Sequence, residues 1–252
     1  VFYKEIGKWP RLLAYSLSKL KYFNQVFTES ENNKKDILKY TDCPENKIQV
    51  ISHVVEDLFN NLKIDESKIC EKYSLPKDKK KILVTGSIWY KNIITVFKTL
   101  EKLIEQDNDI VLVRIGGKSN MNDFSHLKNN IYELPFIDRK EVPNIYKICK
   151  LLFYPTIYEG YGRPLIEALK CGLPIVCSNS AAVPEVVGSS GLMSNYENVD
   201  DFTNNIMKLI NDKEFYKLKQ KEALERAKIF DVATFNNKLI NIYKNELSNI
   251  NR

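Results

Sequence analysis

The sequence predicts a doubly wound α/β fold, with a parallel sheet covered by helices on both faces. Three observations point to it. From Lys81 onward, strand-like and helix-like stretches alternate. The strand-like runs KILVTG (81–86), IVLVRIGG (110–117), LLFYP (151–155) and PIVCS (174–178) are apolar without polar alternation, as strands buried on both faces are. The first two runs end in glycine, and in such sheets ligands sit beyond the carboxyl ends of the strands. The loops of interest are therefore those after Gly86, Gly116, Phe136 and Pro155.

Along the chain, residues 11–22 carry apolar side chains at helical spacing. Asn24–Thr28 reads as a short strand, Ser30 opens a polar helix to Tyr40, and Lys47–Ser52 reads as a second strand. The polar, Lys-rich stretch 56–80 reads as a connection, with 77–81 a solvated loop. Ile93, Phe97, Leu100 and Ile104 then share one face of a helix over 92–106. IYELPF (131–136) is a strand. Asp138 followed by Glu141 has the form of a capping box opening a helix to Lys150. Pro164 suits the first turn of a helix that Gly172 ends. Amphipathic helices over 200–211 and 213–228 and a closing helix over 231–250 complete the chain.

Composition excludes several classes. With 44% hydrophobic and 28% charged residues in 252, wholesale disorder is out. No apolar run approaches the ~18 residues that cross a bilayer. Five cysteines (43, 70, 149, 171 and 177) form no C-x-x-C pair, so a disulfide scaffold, a zinc ribbon and a dithiol redox site are out. Their odd number suits a reducing compartment, and Cys171 and Cys177 read as small buried apolar residues. The net charge of +6 is mildly basic, and only six of the 38 basic residues are Arg. No basic block interleaves with aromatics, so nucleic acid is not an expected partner. Weak contact with an anionic lipid surface is compatible with this charge. Residue 1 is Val and no signal peptide follows, so the chain reads as a cytoplasmic piece of something longer, or a processed form, with a peripheral place at the inner membrane face open to it. No His/Asp cluster has metal-ligand spacing, and His53 and His126 read as surface or structural residues.

The stretch 155–174 carries the chemistry. A strand ends at Pro155, a loop holds Glu159 and Gly160-Tyr161-Gly162, and a helix starting near Pro164 carries Glu167 in its first turn. A helix start presents free N–H groups and the positive end of its dipole, which suits a phosphate. Glycines let the backbone approach an anion, and Arg163 adds a charge. Glu159 and Glu167, eight residues apart, are placed to bracket a ligand, one on a sugar hydroxyl and the other on a ribose diol. Tyr158 and Tyr161 either stack on a sugar or base, or pack. Glu185 caps its local turn.

This pattern resembles the E-x7-E signature of retaining glycosyltransferases with the GT-B fold, family 4, with Glu159 and Glu167 in the places of its two acids. Gly86…Lys91-Asn92 is similar to the family's first-loop Gly…Lys-Asn. Arg114-Ile-Gly-Gly117 is similar to its strand-to-glycine loop, Ala181-Ala-Val-Pro-Glu-Val-Val-Gly188 to its small-x-Pro-Glu-x-x-Gly segment, and Glu225-Arg-Ala-Lys…Phe230 to its late helix. Gln25-Val-Phe-Thr-Glu-Ser30 and Ile48-Gln-Val-Ile-Ser resemble the last amino-domain strand and the hinge strand.

The resemblance implies a Rossmann-like, GT-B carboxy-terminal domain over 61–230 that binds a nucleotide-diphosphate sugar. Residues 1–60 would be the tail of an amino-terminal, acceptor-side domain with the hinge, and 231–252 a helix crossing back. Glu167 would hold the ribose hydroxyls. Backbone N–H groups around Gly162, Leu165 and Ile166, beside Gly160 and Tyr161, would cradle the diphosphate. Glu159 would contact the transferred sugar, and Lys91, beside Gly86, would neutralise the leaving diphosphate in place of a metal. Ser87 stands where the family has Arg, and Arg163 is the candidate to replace that charge. No cofactor or metal is implied. The acceptor, a glycan, lipid or protein, would need the rest of the amino-terminal domain, in the same gene or on a partner chain. A nucleotide-sugar-binding module without transferase activity, or a GT-B sugar epimerase, are the alternatives.

Overall fold

The computed structural model describes residues 16–60, 64–86, 88–117, 122–134 and 137–250. The chain divides into two compact units, one spanning Val54–Thr234 and the other made of Val1–His53 with Phe235–Arg252.

In the smaller unit, β1 (Val26–Thr28) pairs in parallel with β2 (Ile48–Val50), Val26 opposite Ile48. Between them runs α1 (Glu31–Tyr40), started by the Ser30 hydroxyl, which accepts the Asn33 N–H at 3.0 Å. Val26, Cys43 and Ile48 form the small core. Of the helix expected over 11–22, residues 11–15 lie outside the described residues; Ser16–Ser18 are helical and Leu20–Tyr22 form a 3-10 turn.

The larger unit corrects the reading of 56–80. A 3-10 turn covers Asp57–Phe59, and α2 (Glu66–Lys72) follows, capped by Asp65, whose carboxylate accepts the Lys68 N–H. One buried residue, Cys70, faces the core, so the helix has no apolar period to read. The run 77–81 is not a solvated loop throughout. Lys81 is 2% exposed, and its ammonium donates to Glu66 Oε1 (3.2 Å) and to the carbonyls of Lys77 and Lys79. The aliphatic stem buries while the charged head finds acceptors.

The remaining elements follow as β3 (Lys80–Thr85), α3 (Ile93–Gln106), β4 (Ile110–Ile115), β5 (Ile131–Leu134), α4 (Val142–Ile148), β6 (Leu151–Tyr154), α5 (Arg163–Cys171), β7 (Ile175–Ser178), α6 (Val183–Val187), β8 (Gly191–Ser194), α7 (Val199–Asn211) and α8 (Lys213–Ala227). The last helix, α9 (Val232–Ile250), starts in this unit and continues into the other. β8 was not expected, because a four-residue GLMS strand gives no apolar run. The capping box at Asp138 does not form. Glu141 instead pairs with Lys72 and accepts from the Tyr73 hydroxyl, because tertiary partners outbid its own backbone.

All six strands of the sheet are parallel, in the order β5-β4-β3-β6-β7-β8. The central strands split their side chains between two cores. Ile82, Val84, Leu112 and Phe153 pack with α3 and α7, while Leu83, Val113, Leu152 and Tyr154 pack with α4, α5 and α6. Both faces are apolar, which explains the unbroken apolar runs. Strand order reverses between β3 and β6, so the carboxyl ends of these two strands open the crevice where such sheets bind ligands.

Two of the segments singled out in the sequence meet here. Arg226 of α8 donates to the carbonyls of Val186 (2.9 Å) and Glu185 (2.6 Å) in α6. Arg226→Met removes both charged hydrogen bonds and should cost about 2 kcal/mol of stability; urea denaturation of the variant checks it. Burial pushes the Cys171 thiol up to about 12 and those of Cys149 and Cys177 higher, and all five cysteines are free and buried. Among the described residues, no helix is long and apolar enough to cross a membrane.

Candidate active site

The site assembles at the crevice between the ends of β3 and β6. Gly86 follows β3 with φ +87°, and a Cβ there would meet the Lys91 side chain at 3.0 Å. A Cβ at Gly116 (φ +124°) would sit 2.8 Å from Gly86 Cα and N. Two loops therefore pass each other as bare backbone, with the Lys91 stem against Gly86. Arg114, fully buried in β4, ties these loops together. Its guanidinium donates to the carbonyls of Gly117 (2.6 Å) and Gly86 (3.1 Å) and to Glu133 Oε1 (2.6 Å).

Lys91 ends a 3-10 turn, Trp89–Lys91, and is aimed by Asn92. Asn92 takes a left-handed conformation (φ +57°) and donates to the carbonyls of Pro155 (3.0 Å) and Tyr196 (2.8 Å). The Lys91 ammonium then donates to Glu159 Oε1 and to the Tyr154 hydroxyl, each at 2.5 Å. The Thr156 hydroxyl lies within hydrogen-bond reach of the same Glu159 oxygen (3.2 Å) and of the carbonyls of Tyr90 (2.9 Å) and Tyr158 (3.0 Å). Glu159 is only 9% exposed, so this is a largely desolvated pair.

The second acid is fixed just as firmly. Arg139 Nη1 donates to Glu167 Oε1 and the Tyr146 hydroxyl donates to Oε2, both at 2.6 Å. Burial pushes the Tyr154 phenol well above its ordinary range, and the charges of Glu159 and Glu167 push it further. Burial and then the Glu167 charge do the same to Tyr146.

Several expectations shift. Glu167 is the fifth residue of α5, not part of its first turn, which holds no acid. The placement puts it one turn in, against α4. Gly162, left-handed at φ +94°, precedes α5, and its carbonyl accepts the Leu165 N–H at 2.9 Å. Leu165 and Ile166 point their side chains into the core. Tyr161 packs rather than facing a ligand: it is buried, edge-on to Phe230 at 6.3 Å between centroids. Arg163 is exposed and stands 3.8 Å from Glu56. Gly160 lies in the loop between Glu159 and Tyr161, and Ser87 is outside the described residues. His53 pairs with Glu29 and His126 with Glu101. Among the described residues, no three His, Cys, Asp or Glu side chains converge as a metal cluster.

Glu56, Phe59, Arg139, Tyr146 and Tyr154 were not singled out from sequence. One signal was available. In a chain with six Arg among 38 basic residues, an Arg retained just beyond a strand end marks a geometric demand that Lys does not meet.

The hydrogen bond from Arg139 holds the Glu56 carboxyl down at about 2, from an ordinary 4.5. A depressed folded value means that the pairing contributes its full stability above about pH 4.5, and that this is lost as pH falls through about 2. Stability measured by denaturant from about pH 5 to about pH 2 should therefore fall less steeply for Glu56→Gln than for the wild type.

A family model described as "Glycosyl transferases group 1" matches residues 65–227. O-antigen chain mannosyltransferase B of Escherichia coli is 34% identical over 111 residues, covering 44% of this chain and 29% of that protein. The serotype-specific mannosyltransferase WbdA of Escherichia coli is 26% identical over 241 residues, covering 89% of this chain and 29% of that protein. The chain thus spans less than a third of the length of these curated relatives. Among solved structures, Anabaena HepE in complex with UDP and glucose superposes with a TM-score of 0.80 at 17% identity, over 92% of this chain and 66% of that one. That likeness is one of fold, and it agrees with the parallel α/β fold read from the sequence. The family match covers well over half of the chain, from α2 through α8 and with every residue of the crevice except Glu56 and Phe59 inside it, so the chain belongs to the group 1 glycosyl transferases.

Proposed function

We propose that this chain is the donor half of a retaining glycosyltransferase of the E-x7-E type, family 4. It binds a nucleotide-diphosphate sugar and passes the sugar to an acceptor held by a further amino-terminal region or a partner chain. The observation that carries this reading is the meeting of Lys91, Glu159 and the Tyr154 phenol at the sheet's switch point, with Glu167 held by Arg139 and Tyr146 in the helix that follows the same loop.

Each role follows from chemistry. Glu167 accepts from the ribose hydroxyls. Glu159 accepts from hydroxyls of the transferred sugar. As the glycosidic bond breaks, negative charge grows on the leaving diphosphate, and a fixed ammonium at Lys91 stabilises that state more than the ground state. The amino end of α5 adds its dipole. Because the Leu165 N–H is donated to Gly162, the dipole, rather than this N–H, is what acts on the phosphates. With a cation and a dipole in place, the reaction is proposed to need no metal. The names of the mannosyltransferase relatives favour a hexose donor and a glycan acceptor, and the mildly basic charge is compatible with work at the inner membrane face.

A thermal-shift series with UDP, GDP, UDP-glucose and GDP-mannose tests the reading. A true donor nucleotide at 100 times its dissociation constant adds about 2.7 kcal/mol of stability, and the shift should persist in EDTA. No shift with any of the four overturns the donor role, and a shift that EDTA abolishes overturns the metal-free mechanism.

A further inference from the structure

Glu167 sits at the centre of a chain of contacts that its proposed role does not by itself require. A carboxylate has about four lone-pair positions on its two oxygens. In Glu167 each oxygen already accepts one strong hydrogen bond, Oε1 from Arg139 and Oε2 from Tyr146. Neither donor is free to swing. Tyr146 is buried, with its ring edge-on to Phe59 at 5.8 Å and 90°. Arg139 is gripped from its other side by Glu56, Nε to Oε1 at 3.2 Å and Nη2 to Oε2 at 2.7 Å, and its guanidinium lies 4.7 Å from the centroid of the same Phe59 ring. Guanidinium and carboxylate paired through two bonds fix a plane, not merely a distance. Glu56 and Phe59 flank one short turn, so a single local segment braces both donors to Glu167.

The consequence is geometric. With one lone pair used on each oxygen, Glu167 keeps a pair of acceptor positions, one on each oxygen of a carboxylate whose orientation its two donors fix. That pair matches two hydroxyls on adjacent carbons. A ligand with only one of the two hydroxyls leaves an acceptor buried and unmet, which costs more than the missing bond alone. A carboxylate free to rotate turns its better oxygen to a single hydroxyl and discriminates less.

We propose that Arg139, braced by Glu56, is a positioning residue that makes Glu167 selective for a vicinal diol, and so sets the preference of this site for ribonucleotides over 2′-deoxyribonucleotides. The proposal rests on the ribose-holding role given to Glu167 above.

The test is equilibrium binding of UDP, GDP, 2′-deoxy-UDP and 2′-deoxy-GDP to the wild type, Arg139→Met, Arg139→Lys and Glu56→Gln. For the nucleotide that binds, the wild type should prefer the ribo form by about tenfold or more. Arg139→Met should weaken the ribo form and leave the deoxy form nearly unchanged, so the ratio falls toward one. Lys, a point charge that cannot fork between two carboxylates, should give an intermediate ratio. Glu56→Gln, at a half-exposed position that should not endanger folding, should lower the ratio in the same direction. A ratio that stays at the wild-type value in both Arg139→Met and Glu56→Gln overturns the proposal, as does an equal loss for both sugars, which is what a purely structural ion pair predicts. If Arg139→Met does not fold, the Glu56→Gln ratio decides alone. A wild type that binds nucleotide with no preference between the sugars instead removes the ribose role of Glu167.

Discussion

Lys91→Ala should weaken nucleotide-diphosphate binding by about a hundredfold, equivalent to roughly 3 kcal/mol, the scale of a charge-assisted contact in a desolvated site. The physical basis is the position of the ammonium. It lies within 2.5 Å of both Glu159 and the Tyr154 hydroxyl and 4.5 Å from the Tyr154 ring centroid. Asn92 holds the turn that carries it, and Gly86 leaves room for its stem. The same change strands the buried Glu159 carboxylate beside Thr156, so the apo protein should lose stability as well. Calorimetric titration with UDP and GDP separates the two effects, because affinity is read on the folded fraction. Unchanged affinity would remove Lys91 from the phosphate site. If the chain works as proposed within its longer protein, sugar transfer should fall further than binding, by about 10²–10³, since the charge that Lys91 meets is greatest in the transition state.

Arg114→Met should be the most destabilising single change, at about 3–5 kcal/mol and a lowering of the melting temperature by roughly 6–20 °C. Arg114 is completely buried, and it serves Gly86, Gly117 and Glu133 at once. Methionine fills much of the volume but leaves two carbonyls and a carboxylate without their donor. Thermal melting of Arg114→Met, Glu133→Gln and the double variant is the measurement. The double variant should lose clearly less than the sum of the singles, because neutralising Glu133 removes the stranded charge. Additive losses would mean that the pair is not coupled. Donor-site geometry should suffer too, because the Gly86 loop that lies against Lys91 is tied to this guanidinium.

How much of this was legible beforehand depended on range. Strands β3, β4, β6 and β7 were plain because both of their faces are buried, so burial wrote itself into the sequence as unbroken apolar runs. The end of α5 was plain because Gly172 takes a left-handed conformation (φ +64°) there. α2 and β8 were not, since each is short and buries too few residues to make a period. The capping box at Asp138 misled for a related reason. The motif is local, and Lys72 and Tyr73, brought near by the fold, took Glu141 from it.

The site divides in the same way. Glu159, Glu167, Lys91 and the glycines around them stand within short segments, so the sequence alone singles them out as candidates. Arg139, Tyr146 and Tyr154 reach those residues across separations of up to 63 positions, Glu56 reaches Arg139 across 83, and no spacing in the chain encodes such meetings. Sequence alone therefore determined the α/β architecture and the strand ends that open the crevice, because hydrophobic period and turn chemistry act over a few residues. Which cation faces which acid, that Tyr161 packs inward, and that Glu167 is clamped from two sides were decided only by the tertiary fold, because packing brings together side chains that are far apart along the chain.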